Sequence, residues 1–263
     1  MSENPAIKIE ALSKSFPSAE KDKQEAVPVV RGFALECPRS SFTTMFGPNG
    51  CGKSTVLNII AGVFAPDEGT VLVSDQSPRN RQVGYVFQDF RATLFPWKRA
   101  IDNIAYPLEL RGESAAARRQ KAMALLQRFG IDIPTRNYPY QLSGGQQQLT
   151  SIARALIADP SVLLLDEPLS ALDYETRFFM QQKILDIWRE TQTTVLFVSH
   201  ELDEAIYLAD RVAFLTKRPA RIKRIVEVDL PRPRKPEMME SEEFMRIKVE
   251  GLRIFREALS EKA

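Results

Sequence analysis

A nine-residue stretch early in the chain has the composition and spacing of a phosphate-binding loop. It comprises Gly47, Pro48, Asn49, Gly50, Cys51, Gly52, Lys53, Ser54 and Thr55. Its glycines let the backbone turn back on itself, so that successive N–H groups point at one phosphate chain. Lys53 would supply a positive charge to the outer phosphates, and the Ser54 hydroxyl can ligate an accompanying Mg²⁺ ion. Residues 55–61 are predicted to form a helix whose positive N-terminal end faces the same anion.

A pair of acidic residues, Asp166 and Glu167, directly follows the apolar segment 162–165. This segment is predicted to be a buried parallel strand, and the carboxyl end of such a strand is where an open α/β sheet binds its ligand. Asp166 would hold Mg²⁺ directly or through water, and Glu167 would be the base for an attacking water. Alone, the pair fits a turn with two solvated acids equally well. The phosphate loop earlier in the chain favours the catalytic interpretation.

A second glycine-containing stretch occupies 142–146, where Ser143 precedes Gly144, Gly145 and Gln146. A serine cap and two glycines at the start of a helix can form a second anion site, although an ordinary capped helix start is the simpler alternative. Such a site lies within a helical block and need not reach the phosphate loop of its own chain. Two copies facing each other would bring the two anion sites together.

The hydrophobic pattern predicts an α/β protein with a helical insertion. Strands are expected at 6–16, 29–36, 41–46, 70–74, 83–87, 162–165, 194–198, 212–215 and 224–230. Helices are expected at 55–61, 114–129, 174–189, 201–208 and 241–261, with another that begins after Ser143. Residues 67–69 are predicted to form a turn, and 89–158 to contain helices and no strand. Because strands and helices alternate outside that block, we expect a mainly parallel sheet with helices on its faces.

Two of the expected helices carry an apolar stripe that should mark their buried face. In 174–189 the stripe consists of Phe178, Leu185 and Trp188. In 241–261, which follows the proline-rich basic linker 231–236, it consists of Phe244, Ile247, Phe255 and Leu259. The last helix is expected to be a packed tail, with an interaction element as the alternative.

Composition excludes several classes of protein. The formal net charge of +2 over 263 residues gives no support for a role in coating DNA or another polyanion. The longest apolar runs, such as 59–66, are far shorter than the ~20 residues of a membrane span. Residues 1–10 lack the basic-then-apolar pattern of a signal peptide, and two cysteines make a disulfide framework improbable. These features indicate a soluble cytoplasmic protein that does not bind nucleic acid.

The motifs resemble those of the ATP-binding cassette ATPases, in the same order and with none missing. They are the phosphate loop, Gln88 after a strand, LSGGQ at 142–146, VLLLDEP at 162–168, SALD at 170–173 and His200 after a strand. The resemblance covers residues 6–230. It implies an α/β P-loop NTPase (RecA-like) fold, with a mainly parallel sheet, an N-terminal antiparallel β part and an inserted helical subdomain. The expected divisions are 1–88 (β part and phosphate-loop half of the core), 89–158 (helical signature subdomain), 159–230 (second half of the core) and 231–263 (linker and terminal helix).

The resemblance also implies roles for residues outside the phosphate loop. Phe16 corresponds to the aromatic residue that stacks on adenine, although the pattern around it also fits the apolar end of a strand. Gln88 would contact the Mg²⁺ and its water shell and report to a membrane partner. His200 is the only histidine of the chain; a lone histidine is usually structural, but this one matches the family's γ-phosphate contact.

The family pattern further implies a head-to-tail dimer that encloses two ATP molecules. Ser143 and Gly145, with Gly144 and Gln146 in the same segment, would bind the γ-phosphate held by the other subunit, and Asp173 would line the same interface. The second subunit would be an identical chain or a paralogue. The expected catalytic residues are therefore Glu167, His200, Gln88 and Lys53, with Ser54, Gln88 and Asp166 on the metal.

A narrower resemblance is to the importer ATPases of the nitrate, sulfonate and taurine group. It consists of the segments 93–97 and 102–104 and the ending 231–234. It implies a peripheral subunit on the cytoplasmic face of the cell membrane, bound to permease subunits that carry the pore. A periplasmic or lipid-anchored solute-binding protein would act indirectly through them. The region 94–97 beside Gln88 is the expected docking surface.

Two features depart from the family pattern, and neither removes a group expected to touch ATP. Gln147, Gln148 and Leu149 stand where basic residues are common, and Ser40 stands where a glycine is usual. The main alternative function is a soluble cassette ATPase of DNA repair or ribosomes, but the chain has neither long coiled-coil insertions nor a second cassette. A regulator that binds nucleotide without hydrolysis would lack the base, whereas Glu167 is present.

Overall fold

The computed structural model describes residues 4–18, 26–74 and 83–260. The strands are β1 (Ile7–Pro17), β2 (Ala26–Cys37), β3 (Phe42–Phe46), β4 (Glu68–Val73), β5 (Val83–Val86), β6 (Val162–Asp166), β7 (Thr194–Ser199), β8 (Arg211–Leu215) and β9 (Ile222–Glu227). The helices are α1 (Lys53–Ile60), α2 (Phe90–Thr93), α3 (Ala100–Ile104), α4 (Tyr106–Leu110), α5 (Ala115–Arg128), α6 (Gly144–Leu156), α7 (Tyr174–Thr191), α8 (Leu202–Leu208) and α9 (Glu242–Ser260). Short 3₁₀ turns occur at Pro139–Gln141 and Pro236–Glu240.

The chain divides into two units. The first comprises the described residues of Met1–Arg81 and Thr194–Ala263, and the second comprises those of Gln82–Thr193. In the first unit β1 pairs with β2 and β4, both antiparallel. Also in this unit, β3 lies between β7 and β8 as a parallel neighbour of both, and β9 is antiparallel to β8. The mainly parallel sheet and the N-terminal antiparallel part are therefore confirmed.

The strand that leads into the phosphate loop, β3, is buried at every position although two of its five residues are threonines. The turn before it contains Ser40 with φ +57°, in the left-handed region that favours glycine. The Ser40 N–H donates a hydrogen bond to Thr194 Oγ1 at 2.9 Å. The backbone conformation thus explains why a glycine is usual here and why serine is a strained substitute.

The prediction of a turn at residues 67–69 was wrong in its extent, because Glu68 and Gly69 already belong to strand β4. Gly69 has φ +84°, and a Cβ on it would lie 2.4 Å from the carbonyl oxygen of Glu10 in β1. Only glycine permits so close an approach between the two strands. Asp67 anchors the start of the strand by accepting hydrogen bonds from the Ser15 N–H at 2.7 Å and Lys14 Nζ at 2.6 Å.

In the second unit the parallel strands β5 and β6 are accompanied by α2 to α7, and the block 89–158 contains helices and no strand, as expected. Ser114 and Ser143 cap α5 and α6, and Leu149, Ile152, Ala153 and Leu156 form a buried face of α6. For α7 the expected stripe is largely wrong. Only Leu185 is buried, whereas Phe178 and Trp188 are half-exposed. The buried face of α7 is formed instead by Leu185 together with Met180, Gln181, Ile184 and Ile187.

The segment expected to be a docking surface is only partly exposed. Leu94 is buried, Phe95 is half-buried, and Pro96 and Trp97 are exposed. The side chain of Asn103, itself fully buried, holds the segment by accepting from the Phe95 N–H at 2.8 Å and donating to the Phe95 carbonyl at 3.1 Å. The prediction was therefore wrong for Leu94, which packs in the core, and the exposed surface here begins at Pro96.

The terminal helix α9 belongs to the first unit and packs within it. Phe244, Ile247, Ile254 and Ala258 are buried, while Phe255 and Leu259 of the expected stripe are half-buried. The ring of Phe255 lies 5.1 Å from that of Phe46 in β3. The basic linker 231–236, which precedes α9, is also anchored. The Arg234 guanidinium is buried and donates to the carbonyl oxygens of Leu230 and Ala209. No helix in the described ranges combines the length and the apolarity needed to cross a membrane.

Candidate functional site

The phosphate loop connects β3 to α1 in the first unit. Gly52 caps α1 with φ +124°, and a Cβ there would lie 2.9 Å from the carbonyl oxygen of Val29. Neither the backbone angle nor the space permits another residue. The cap is a glycine, so it has no side chain with which to make a capping hydrogen bond. The N-terminus of α1 opens at the loop, and the helix dipole there favours an anion.

Lys53 is the first residue of α1 and is buried, with 4% of its surface exposed. Its Nζ donates hydrogen bonds to the carbonyl oxygens of Gly47 at 2.9 Å and Pro48 at 3.1 Å. These bonds hold the ammonium group against the loop that it would serve. Of the remaining loop residues, Asn49 and Gly50 are exposed, Ser54 and Thr55 are half-buried, and Cys51 is buried.

His200 directly follows β7, the parallel neighbour of β3. Phe46 pairs with Ser199, so Gly47 and His200 leave the sheet at the same edge. The imidazole is exposed. Just before it, the Ser199 hydroxyl donates to Glu204 Oε2 at 2.6 Å and accepts from the Glu201 N–H at 3.0 Å. These bonds fix the turn from which the histidine projects.

Phe16 lies near the end of β1 and is half-exposed. Its ring contacts the ring of Phe64 edge-on, with centroids 5.5 Å apart, and Lys14 Nζ lies 5.6 Å from its centroid. The residue is therefore neither a fully buried core residue nor isolated on the surface. Its position is compatible with both of the interpretations that the sequence left open.

In the second unit, parallel pairing of β5 with β6 brings the acidic pair beside Gln88. Val86 pairs with Leu165, so the residues after both strands leave the sheet at one edge. Gln88 Nε2 donates to Glu167 Oε2 at 3.1 Å. Glu167 has φ +44°, which is unusual for a residue with a long side chain. Such strain of the backbone is found mostly at functional sites.

Asp166 ends β6 and is 3% exposed. The Tyr85 hydroxyl donates to Asp166 Oδ2 at 3.4 Å. Burial and, after it, the negative charge of Asp166 raise the pKa of Tyr85, so the phenol stays protonated and acts as a donor. Tyr85 is a residue of this site that the sequence motifs did not reveal. The available signal was a tyrosine in a short strand otherwise made of valine and glycine, three residues before Gln88.

The signature segment forms the start of α6. The Ser143 hydroxyl accepts from the Gln146 N–H at 3.3 Å, and Gln146 Oε1 accepts from the Ser143 N–H at 3.0 Å. This capping box leaves Ser143 exposed. A Cβ on Gly144 would lie 3.3 Å from the guanidinium of Arg91, so a positive charge accompanies the helix start.

Asp173 caps the neighbouring helix, α7, and is exposed. Its carboxylate accepts from the Thr176 N–H at 3.0 Å and the Thr176 hydroxyl at 2.7 Å, and these two bonds lower its pKa. A Cβ on Gly145 would lie 3.0 Å from the methyl group of Thr176. The signature segment and the start of α7 therefore form one continuous exposed surface.

The expected site residues thus fall into two groups. The first unit brings the phosphate loop and His200 to one edge of its sheet. The second unit brings Gln88, Asp166 and Glu167 together and separately places the signature segment beside Asp173. Arg154 is a further, half-buried residue that the sequence motifs did not reveal. Its guanidinium donates to the carbonyl oxygen of Thr93 at 2.7 Å and links α6 to the segment that contains Trp97.

Within the described residues, no three His, Cys, Asp or Glu side chains converge as they do in a metal site built by protein alone. Mg²⁺ is usually held through one or two carboxylates together with substrate phosphates and water. Within the second unit, the single buried carboxylate of Asp166, together with the amide of Gln88 that contacts the adjacent Glu167, suits such an ion. The donor set therefore fits Mg²⁺ bound with a nucleotide.

Comparisons with known proteins agree on one family. The profile described as ABC transporter matches residues 30–170. An uncharacterised ABC transporter ATP-binding protein of Methanocaldococcus jannaschii is 43% identical over 230 residues, covering 87% of this chain and 84% of that protein. The aliphatic sulfonates import ATP-binding protein SsuB of Bacillus cereus is 37% identical over 252 residues, covering 95% of each chain.

Solved structures give the same result. The ATP-binding cassette MJ0796, in a dimeric post-hydrolysis state bound to ADP and Pi, superposes with a TM-score of 0.74 at 30% identity and covers 86% of this chain and 100% of that one. The structure of cbiO1 from Clostridium perfringens, part of the transporter complex cbiONQ, has a TM-score of 0.74 at 22% identity and covers 97% and 98%. At that identity it supports the fold alone. The chain belongs to the ABC transporter family and is one of its ATP-binding cassette ATPases.

Proposed function

We propose that this chain binds and hydrolyses ATP to drive a membrane importer of a small anion or organic solute such as nitrate, a sulfonate or taurine. The observation that carries the proposal is the match to SsuB of Bacillus cereus along 95% of both chains. In this proposal the chain is a peripheral subunit on the cytoplasmic face of the membrane. Permease subunits carry the pore, and a solute-binding protein delivers the solute to them. A soluble cassette ATPase without transport has no comparable support, because the relatives described above are named as transporter proteins.

The proposal includes a division of labour in hydrolysis. The phosphate loop and Lys53 hold the phosphate chain, and Phe16 offers its half-exposed ring to the adenine. Glu167 accepts a proton from a water that attacks the γ-phosphorus, while the bond from that phosphorus to the β–γ bridging oxygen breaks to give ADP and phosphate. Bound Mg²⁺ would neutralise charge on the β- and γ-phosphates, with Asp166, Ser54 and Gln88 as its protein partners.

The exposed signature segment supports a site completed by a second cassette. Ser143 is exposed at the N-terminus of α6, where the helix dipole and Arg91 favour an anion. In the proposed dimer this surface covers the γ-phosphate held by the partner, with His200 and Asp173 at the same interface. The partner is an identical chain or a paralogue.

Replacing Ser143 with aspartate tests this arrangement, because aspartate preserves the helix cap but places a negative charge where the phosphate would bind. We expect ATP hydrolysis to fall about 10-fold or more, since like charges repel in the closed site. The matched control is Ser114→Asp, the same exchange at the cap of α5, where the serine accepts from the Ala117 N–H at 3.3 Å. The control should hydrolyse ATP at the normal rate.

A mixing experiment then locates the second half of the site. Ser143→Asp and Lys53→Ala should each have strongly reduced activity, yet their mixture should recover part of the normal activity, because a mixed dimer contains one intact site. With random pairing, half of the dimers are mixed and hold one intact site of two, so the expected recovery is about a quarter of the normal rate. Absence of recovery, despite the loss in each single variant, would show that Ser143 does not act on the partner's nucleotide.

The surface around Trp97 is the proposed contact with the permease. Trp97 is 71% exposed although the backbone beside it is fixed by Asn103 and Arg154. A large exposed aromatic side chain on a rigid support is typical of protein interfaces. Arg154 also belongs to α6, so this segment is connected to the helix that carries the signature residues.

Reconstitution tests the docking surface and the solute class together. The chain is co-expressed with permease and solute-binding proteins of an aliphatic sulfonate importer and reconstituted in liposomes. We expect a sulfonate to stimulate ATP hydrolysis by the reconstituted complex. With Trp97→Ala this stimulation should be smaller by about 10-fold or more, because an interface tryptophan often contributes about 2 kcal/mol or more to the free energy of binding. The isolated variant should retain its basal rate of ATP hydrolysis.

The control for Trp97→Ala is Met123→Ala, which replaces an exposed apolar residue on α5. Normal coupling by Trp97→Ala would reject the surface, and failure of any sulfonate, nitrate or taurine system to assemble would reject the importer class.

A further inference from the structure

We infer that Tyr85 is a positioning residue for the Asp166 carboxylate and thereby tunes the response of the ATPase to Mg²⁺. The inference rests on the proposed function, in which Asp166 serves the metal. Its basis is the hydrogen bond of 3.4 Å from the Tyr85 hydroxyl to Asp166 Oδ2. Tyr85 is not expected to touch ATP, so it would act through Asp166 alone.

The register of the two strands explains how the tyrosine reaches the acid. Tyr85 in β5 pairs with Leu164 in β6, and Asp166 lies two residues further along the same strand. Residues two apart in a strand project from the same face. The long phenol side chain therefore extends along that face to the carboxylate at the strand end. A shorter polar residue at position 85 would not span this distance.

The tyrosine ring is itself held in place. It stacks on the ring of Phe87, with centroids 4.0 Å apart and an angle of 29° between the planes. Phe87 is two residues after Tyr85 and therefore lies on the same face of the chain. Of its surface, 37% is exposed. The hydroxyl is thus presented from a fixed ring. The phenol hydroxyl carries a proton that it can donate, and the Asp166 carboxylate is its acceptor.

The two donors on and after β5 together constrain the whole acidic pair. Tyr85 donates to Asp166, and Gln88 donates to Glu167 at 3.1 Å. Residues that orient a metal-binding carboxylate from outside the metal shell generally change metal affinity when they are removed. Since the bond of Tyr85 is long, we expect a modest effect on the metal and none on the nucleotide itself.

The test is Tyr85→Phe, which keeps the stacked ring and removes only the hydroxyl. The Mg²⁺ concentration that gives half-maximal ATP hydrolysis should rise about 3- to 10-fold, which is less than a well-formed hydrogen bond to a charged group would give, because this bond is long. The rate at saturating Mg²⁺ should stay within about 2-fold of normal, as should ATP binding measured without Mg²⁺. Tyr140→Phe, an exposed tyrosine of the same unit, is the control and should not change the Mg²⁺ response.

The outcomes separate this inference from the function on which it rests. Suppose that hydrolysis by the normal protein depends on Mg²⁺ and that Tyr85→Phe responds to Mg²⁺ in the same way. This result would overturn the role of Tyr85 and leave the proposed function intact. A lower melting temperature with an unchanged Mg²⁺ response would do the same, because it would show a merely structural role. Hydrolysis by the normal protein that needs no divalent cation would overturn both.

Discussion

Replacing Glu167 with glutamine should lower ATP turnover about 100-fold or more while ATP binding survives, because glutamine cannot accept the proton of the attacking water. The structure makes this exchange a clean test. Gln88 Nε2 donates to Glu167 Oε2, and the amide oxygen of a glutamine at the same position can still accept that bond. Position is therefore preserved and only basicity is removed. Steady-state hydrolysis and a nucleotide titration measure the two effects.

The matched control for this variant is Glu190→Gln. Glu190 is an exposed carboxylate of the same unit that pairs with Arg128. Exposed ion pairs contribute little to stability, so the control should fold and hydrolyse ATP normally. Near-normal turnover by Glu167→Gln would remove this residue from the role of base.

Replacing Lys53 with alanine should weaken ATP binding about 10-fold or more, because a charge-assisted hydrogen bond to phosphate is lost. The ammonium group is buried and donates to the carbonyl oxygens of Gly47 and Pro48. The variant therefore loses support for the loop as well as the charge. Both losses act on the same site, and a direct titration of nucleotide by calorimetry measures their sum.

A surface lysine provides the comparison for Lys53. Lys8 in β1 is half-exposed and pairs with Glu10 at 2.8 Å, and Lys8→Ala should leave ATP affinity unchanged. The melting temperature of both variants shows whether the fold is retained. An affinity for ATP in folded Lys53→Ala equal to that of the normal protein would contradict its contact with the phosphates.

Much of the fold could be predicted from local pattern, because buried strands and capped helices leave clear signals. Ser114 and Ser143 marked two helix starts, and the apolar run before Asp166 marked a buried strand. The short helices α2, α3 and α4 could not be delimited, since four or five residues are too few to show a helical period. The stripe of α7 was misjudged because large aromatic residues such as Trp188 can lie at the edge of a core instead of its centre.

The candidate site was predictable where it depends on motifs and unpredictable where it depends on register. The phosphate loop and the acidic pair have distinctive residue types at fixed spacing. The hydrogen bonds of Gln88 to Glu167 and of Tyr85 to Asp166 arise because β5 and β6 pair in one particular register. No local pattern specifies that register. Family resemblance supplied Gln88, but nothing in the sequence singled out Tyr85 as a partner of Asp166.

The left-handed backbone of Glu167 has a consequence for how such chains diverge. A residue with a long side chain at φ +44° costs about 1–2 kcal/mol, whereas glycine or asparagine would adopt this conformation readily. With Glu167 as the proposed base, selection for a stable fold and selection for turnover would oppose each other at this one position. A descendant that no longer needed to hydrolyse ATP would be expected to lose the glutamate here early, and to become more stable when it did.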